Sequence, residues 1–256
     1  MGIHAYHPKP GGCEHSMLAG QTSKGKDLSR RKSEIRVLSD HTPGLFLVEK
    51  EGQGTKEAEM ASFTLTTPLT EEAVRKLHVR DTVILNGTIF GIRDRTQIRI
   101  FDEKIDPPVS LQGAACIHTA PSLKKKGDRW EKICVGTTTS GRMDRFTPGL
   151  MEKYGVRAII GKGGQYQASL EAMGRFGGCY LAIVGGAAAL ETKQIVEVEK
   201  VYWEDIHPEA LYQFKVKDFG PLIVAMDSHG NNLYFEVKAQ AEKRLPDIYK
   251  RLGIPV

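Results

Sequence analysis

The chain has 256 residues, 40% of them hydrophobic and 26% charged, which is enough apolar material for a sizeable core. Its 36 Lys and Arg exceed its 31 Asp and Glu by only five, and the basic residues are scattered and not gathered into a stripe with interleaved aromatics. That argues against nucleic acid and suits a cleft that receives a small anion, while apolar runs such as Tyr180 to Val184 and Leu222 to Met226 stop far short of the roughly 20 residues of a membrane span.

Residues 1–60 differ from the rest. Gly, Ser, Lys, Glu and Pro dominate there, together with His4, His7, His15 and His41, and only Gly44 to Val48 has the character of a short strand. The segment is expected to be a poorly ordered extension, because it cannot bury enough surface to offset its ordering entropy. Met60, followed by Ala-Ser-Phe-Thr, is an alternative start. Cys13, Cys116, Cys134 and Cys179 form no zinc spacing and read as free thiols of a reducing cytoplasm.

From Phe63 onward ordered elements are expected. Thr70 caps a helix over Glu71–Leu77, with acidic residues in its first turn. A strand follows at Thr82–Phe90, interrupted at Gly87, then a helix or irregular turn over Asp94–Phe101 ended by Pro107-Pro108. Strands at Ala114–Thr119 and Lys132–Val135 flank a basic hairpin turn at Lys124–Gly127. Next come helix Asp144–Tyr154, strand Arg157–Ile160, helix Gln167–Phe176, strand Tyr180–Val184 and a helical turn at Ala187–Glu191. Strands at Gln194–Trp203, Leu211–Val216 and Leu222–Asp227 precede an amphipathic helix over Leu233–Leu252. The alternation implies parallel strands with crossover helices, so 61–256 is read as one mixed α/β domain.

Three loops place basic or hydroxyl residues after predicted strands, where open α/β sheets bind ligands. They are Gly91-Ile92-Arg93-Asp94, the run GTTTSGRMD from Gly136 to Asp144, and Gly161-Lys162-Gly163-Gly164. The hydroxyls of Thr137, Thr138, Thr139 and Ser140, with Arg142 just beyond, offer donors to a carboxylate or phosphate. Lys162 is followed by Gly163, not by the Ser or Thr of a nucleotide P-loop, so a nucleotide loop is disfavoured. The bland alternative is three ordinary glycine turns with exposed cations. His78, His118, His207 and His229 lie in unrelated contexts and read as surface or satisfied core histidines.

Taken together, Leu65-Thr66-Thr67-Pro68-Leu69, the strand from Asp81 to Arg93-Asp94, GTTTSGRMD, IGKGG at 160–164, VGGAAAL at 184–190 and FGPLIVAMDSHGNNL at 219–233 resemble the class I fumarate hydratase family. The likeness is to its C-terminal domain, or to the separate beta subunit of two-subunit fumarases and L(+)-tartrate dehydratases, and it runs in order from about 64 to 252.

The resemblance implies a swivelling β/β/α domain with a mixed sheet, closing over an alpha-type domain or subunit. That partner holds a 4Fe-4S cluster through three cysteines; this chain supplies no metal ligand. It would work in a heterodimer or heterotetramer as a hydro-lyase on a small C4 dicarboxylate. Matched onto the family's motifs, Arg93, Thr138, Thr139, Ser140, Arg142 and Lys162 are the substrate-binding residues, and Thr138 is the group that moves a proton. Two departures stand out: Thr137 replaces the usual Pro, and Gln97 stands at a candidate catalytic position that usually holds His. Gln can hydrogen-bond but cannot titrate, so a rival reading is a non-catalytic or regulatory dicarboxylate-binding relative. A stand-alone anion-binding module is a second rival. GDRWE at 127–131 resembles tartrate dehydratases, whereas VGGAAAL leans toward fumarases.

Overall fold

The computed structural model describes residues 60–183, 186 and 190–254. The chain divides into Met1–Thr55 and Lys56–Val256, and the architecture below is that of the second unit. The extension expected over 1–60, its strand at Gly44 to Val48, and most of the turn expected at Ala187–Glu191 lie outside the described residues.

Five parallel strands form the centre of the main sheet. They are β1 (Ser62–Thr66), β2 (Thr82–Ile92), β3 (Ala115–His118), β6 (Ala158–Gly161) and β7 (Cys179–Ala182), paired in that order. Helices α1 (Glu71–Arg75), α2 (Asp94–Phe101), α3 (Thr147–Tyr154) and α4 (Gln167–Phe176) make the crossovers. This is the expected alternation. Strand β9 (Leu211–Met226) is antiparallel to both β7 and β2 and so closes the ring β2-β3-β6-β7-β9, with β8 (Ile195–Tyr202) along its other edge. One buried core lies between the parallel strands and β8–β9, with Ile117, Ile160, Leu181, Val198 and Phe214 among its members. A second, including Cys116, Ile159, Tyr180, Leu150 and Met173, lies on the opposite face under α3 and α4. The result is a β/β/α stack in which successive strand residues serve alternate cores.

Four expectations need correcting. Leu211–Val216 and Leu222–Asp227 are one strand, not two. Gly220-Pro221 reads as a break, yet the Gln194 side chain accepts from the Gly220 amide (3.0 Å) and donates to its carbonyl (2.9 Å), replacing ladder partners at the kink. Gly220 has φ 144° and a Cβ there would lie 2.7 Å from the Val83 carbonyl, so glycine lets β9 pass close against β2. The basic segment belongs to strands, not a turn: β4 (Ser122–Lys126) and β5 (Arg129–Cys134) form a separate hairpin about Gly127-Asp128. The helix expected from Asp144 opens earlier, as a 3-10 turn over Gly141–Phe146, and becomes α-helical where Pro148 suits the donor-free first turn. Finally, α1 ends at Arg75, short of Leu77, while Thr70 caps it as expected by accepting from the Ala73 amide at 3.2 Å.

The closing helix α5 (Leu233–Leu252) is capped by Asn232, which accepts from the amides of Tyr234 and Phe235, and none of its residues is fully buried. No described helix is long and apolar enough to cross a membrane.

Candidate functional site

Parallel strands bring their C-terminal ends to one edge, and the chemistry-bearing residues collect there. Strand β2 delivers Arg93 and Asp94. Helix α2 begins immediately after it; no side chain at Arg93 caps the helix, but the distant Glu209 does, accepting from the Arg95 amide at 2.8 Å. Arg93 Nε lies 3.4 Å from Glu209 Oε1 and 3.5 Å from Asp94 Oδ2. Gln97, one turn into α2, is fully buried. Its amide side chain donates to the Arg93 carbonyl at 3.3 Å, and its buried Oε1 has no hydrogen-bond partner among the described residues.

The hydroxyl loop follows β5 of the hairpin, not a strand of the main sheet. Hydrogen bonds to its main chain carry it to the sheet edge nonetheless. The Thr119 hydroxyl donates to the Gly136 carbonyl at 2.6 Å, the Thr138 amide to the His118 carbonyl at 2.9 Å, and the Ser140 amide to the Lys162 carbonyl at 2.9 Å. Thr139 and Lys162 form an isolated parallel bridge. The loop thus spans the ends of β3 and β6. Gly163 and Gly164 have φ of 79° and 72°, so the turn that presents Lys162 requires glycine at both.

Side chains along this loop face different ways. Thr138 is half-buried, Thr139 exposed and Ser140 fully buried. Arg142, 45% exposed, joins the loop to α2: its Nε donates to Asp94 Oδ1 and Oδ2 at 2.8 and 2.9 Å, and its Nη2 donates to Thr138 Oγ1 at 3.0 Å. Partial burial pushes the Asp94 carboxyl up, but the hydrogen bonds and charge of Arg142 outweigh it and hold Asp94 below its ordinary value. Asp94 is therefore an anion at neutral pH.

Ser140 turns its hydroxyl inward, between His118 Nδ1 at 2.9 Å and the Tyr180 hydroxyl, which donates to it at 3.0 Å. His118 is fully buried at the end of β3, and its Nε2 has no hydrogen-bond partner among the described residues. Burial pushes its pKa down to about 3, so the ring is neutral at physiological pH. The expectation of a bland histidine is met in burial but not in satisfaction.

Arg93 and Arg142 thus converge on Asp94, Thr138 is bonded to Arg142, Thr139 and Lys162 are tied together through the backbone, and Gln97 is bonded to the Arg93 carbonyl. Three participants carried no role in the sequence reading: Asp94, Glu209 and His118. Asp94 was visible beside Arg93; Glu209 is 114 residues from the amide it caps, and no local pattern announces it.

Two of the three described cysteines do not suit an iron-sulphur cluster. Cys116 and Cys179 are buried in different cores, and burial pushes both thiols up to about 12, against the thiolate that a cluster requires. Among the described residues no three His, Cys, Asp or Glu side chains are grouped to hold a metal ion.

The family model described as Fumarase C-terminus matches residues 39–237, beginning inside the stretch read as an extension. The L(+)-tartrate dehydratase subunit beta of Escherichia coli is 40% identical over 184 residues, 71% of this chain and 92% of that protein. A putative L(+)-tartrate dehydratase subunit beta of Methanocaldococcus jannaschii is 38% identical over 187 residues, 70% of this chain and 95% of that one. A putative class I fumarate hydratase of Geobacillus stearothermophilus is 38% identical over 199 residues, 77% of this chain but only 38% of the longer relative.

Proposed function

The chain belongs to the fumarase C-terminal family, and on that premise we propose that it is the beta-type component of a cytoplasmic iron-sulphur hydro-lyase, adding or removing water on a C4 dicarboxylate. Fumarate and malate, or tartrate and oxaloacetate, are the candidate pairs. In this reading residues 61–256 form a swivelling domain that closes over an alpha-type partner, in a heterodimer or heterotetramer, and the extension before it is dispensable. The partner holds the 4Fe-4S cluster, a reading supported by the burial of Cys116 and Cys179 in different cores of this chain.

The observation that carries the reading is the placement of Arg93 and Arg142 about one carboxylate, with Thr138 bonded to Arg142 and Lys162 hydrogen-bonded to the same loop through its carbonyl. In this reading two guanidiniums, with the ammonium of Lys162 from the neighbouring turn, match a doubly charged acid, and a guanidinium fork can grip a carboxylate bidentately. Thr138 is the proton-transfer group. A free hydroxyl is a poor base, but one that accepts a hydrogen bond from a cation is easier to deprotonate. Thr139 adds an exposed hydroxyl for the substrate. Ser140, being buried, serves by holding the loop in place.

The test is anaerobic co-purification with an alpha-type chain, followed by assay against fumarate, malate, L(+)-tartrate and mesaconate. Turnover and iron-sulphur absorbance are expected only in the complex, and equally with a chain lacking residues 1–59. Iron-sulphur absorbance from this chain alone would overturn the division of labour.

Gln97 favours a second reading, a dicarboxylate-binding relative without turnover, because a buried amide cannot exchange a proton. Gln97→His separates the two. If Gln97 marks lost proton transfer, the variant complex gains turnover toward fumarate or tartrate; an already active complex that gains nothing dismisses the second reading.

A further inference from the structure

We propose that Asp94 is a positioning residue that acts through Arg142 on the hydroxyl of Thr138. The inference rests on the hydro-lyase reading above and assigns a role to a side chain that touches neither the proton nor, through its own charge, an anionic substrate.

Arg142 starts from a disadvantage. It sits on a 3-10 turn with its side chain 45% exposed, and a long exposed side chain has many rotamers open to it. Asp94 removes that freedom. Both of its oxygens accept from Arg142 Nε, at 2.8 and 2.9 Å, which fixes the plane of the guanidinium. The same plane then aims Nη2 at Thr138 Oγ1, 3.0 Å away. Since the threonine oxygen is engaged as an acceptor, its own O–H is free to point outward, and the adjacent positive charge favours the deprotonated form.

Asp94 is itself fixed. It occupies the first turn of α2, where a carboxylate is favoured by the helix dipole, and Arg93 Nε stands 3.5 Å from its Oδ2. The charged groups that reach it are Arg93 and Arg142; the neutral His118 ring feels the charges of Asp94 and Arg142, and Glu209 lies 3.4 Å from Arg93 and close enough to Arg142 to act on its charge as well. With its pKa held below the ordinary value, Asp94 keeps its charge, and Arg142 its orientation, until the pH falls below the normal aspartate range. The order Asp94, Arg142, Thr138 follows the logic of an acid that orients a second group, which in turn activates a hydroxyl.

The experiment uses the reconstituted complex with Asp94→Asn, Asp94→Glu, Thr138→Val and the double variant Asp94→Asn/Thr138→Val. Asp94→Asn is expected to lower kcat by about tenfold to a hundredfold, the range for a lost charge-assisted hydrogen bond, with KM changing much less. Asp94→Glu should recover part of the loss. In the Thr138→Val background Asp94→Asn should add almost nothing, because the hydroxyl it serves is gone. Nuclear magnetic resonance on the full chain supplies a readout independent of turnover: the Arg142 Nε–Hε signal and the Thr138 methyl signal should both move in Asp94→Asn. Equal losses in both backgrounds, a rise in KM with kcat unchanged, or an unmoved Thr138 methyl would each overturn the proposal. Absence of turnover in the unaltered complex would count against the hydro-lyase reading alone, since the resonance measurement still decides whether Asp94 governs Thr138.

Discussion

Thr138→Val in the reconstituted complex is expected to lower kcat by about a hundredfold to ten-thousandfold, the range for a positioned proton-transfer group, while substrate affinity stays close to that of the unaltered enzyme. Valine matches threonine in shape, and the position is only half-buried, so the fold has little reason to respond. Arg142→Lys is the companion measurement. An ammonium cannot chelate Asp94 through one edge and reach Thr138 through another, as the guanidinium does. The Lys variant should therefore lose more than a conserved charge suggests, by about one to two orders of magnitude in kcat/KM. Initial rates with fumarate and L(+)-tartrate over a range of concentrations separate the two effects. A complex indifferent to Thr138→Val would place proton transfer in the partner chain.

Much of this arrangement is legible in the sequence. The boundaries of α4 and α5 follow from amphipathic periodicity and from glycine at each C-terminus, Gly177 and Gly253, both with φ near 66–67°. Strands β3, β6 and β7 are short apolar runs that serve two cores, which explains why they read clearly yet reveal nothing about which face meets which core. Local patterning failed at Gly220-Pro221, where a side chain from Gln194, 26 residues away, completes the hydrogen bonding of a kinked strand. It failed in the same way at the site. The hydroxyl loop and the Arg-Asp and Gly-Lys loops stand out as motifs, but the cap from Glu209, the Asp94 link between loops and the inward turn of Ser140 depend on pairings among distant strands. Residue type announces what a loop could bind; only the closure of the ring decides which of its side chains face outward.

Gly161 is where that closure bears on the site most directly. A Cβ at this position would lie 2.0 Å from Ser140 Oγ and 2.9 Å from the Tyr180 hydroxyl. Gly161→Ala must therefore expel the serine hydroxyl from its place between His118 and Tyr180, leaving buried polar groups without partners and overpacking a closed end of β6. Each of these effects is worth about 1–3 kcal/mol, and for a chain of this size their sum corresponds to a fall in Tm on the order of 10 °C. Ser140→Ala removes the colliding oxygen at the cost of the same two hydrogen bonds. The double variant Gly161→Ala/Ser140→Ala should consequently be little less stable than Ser140→Ala alone, although the Tyr180 hydroxyl still crowds the new methyl. Denaturant unfolding of the four chains measures the coupling, which should exceed about 1 kcal/mol. Strictly additive losses would mean that Ser140 can leave its pocket without consequence. In that case the buried hydroxyl is not what sets the hydroxyl loop against the turn of Lys162, and the spacing of the two loops must be held by the bond from the Ser140 amide to the Lys162 carbonyl.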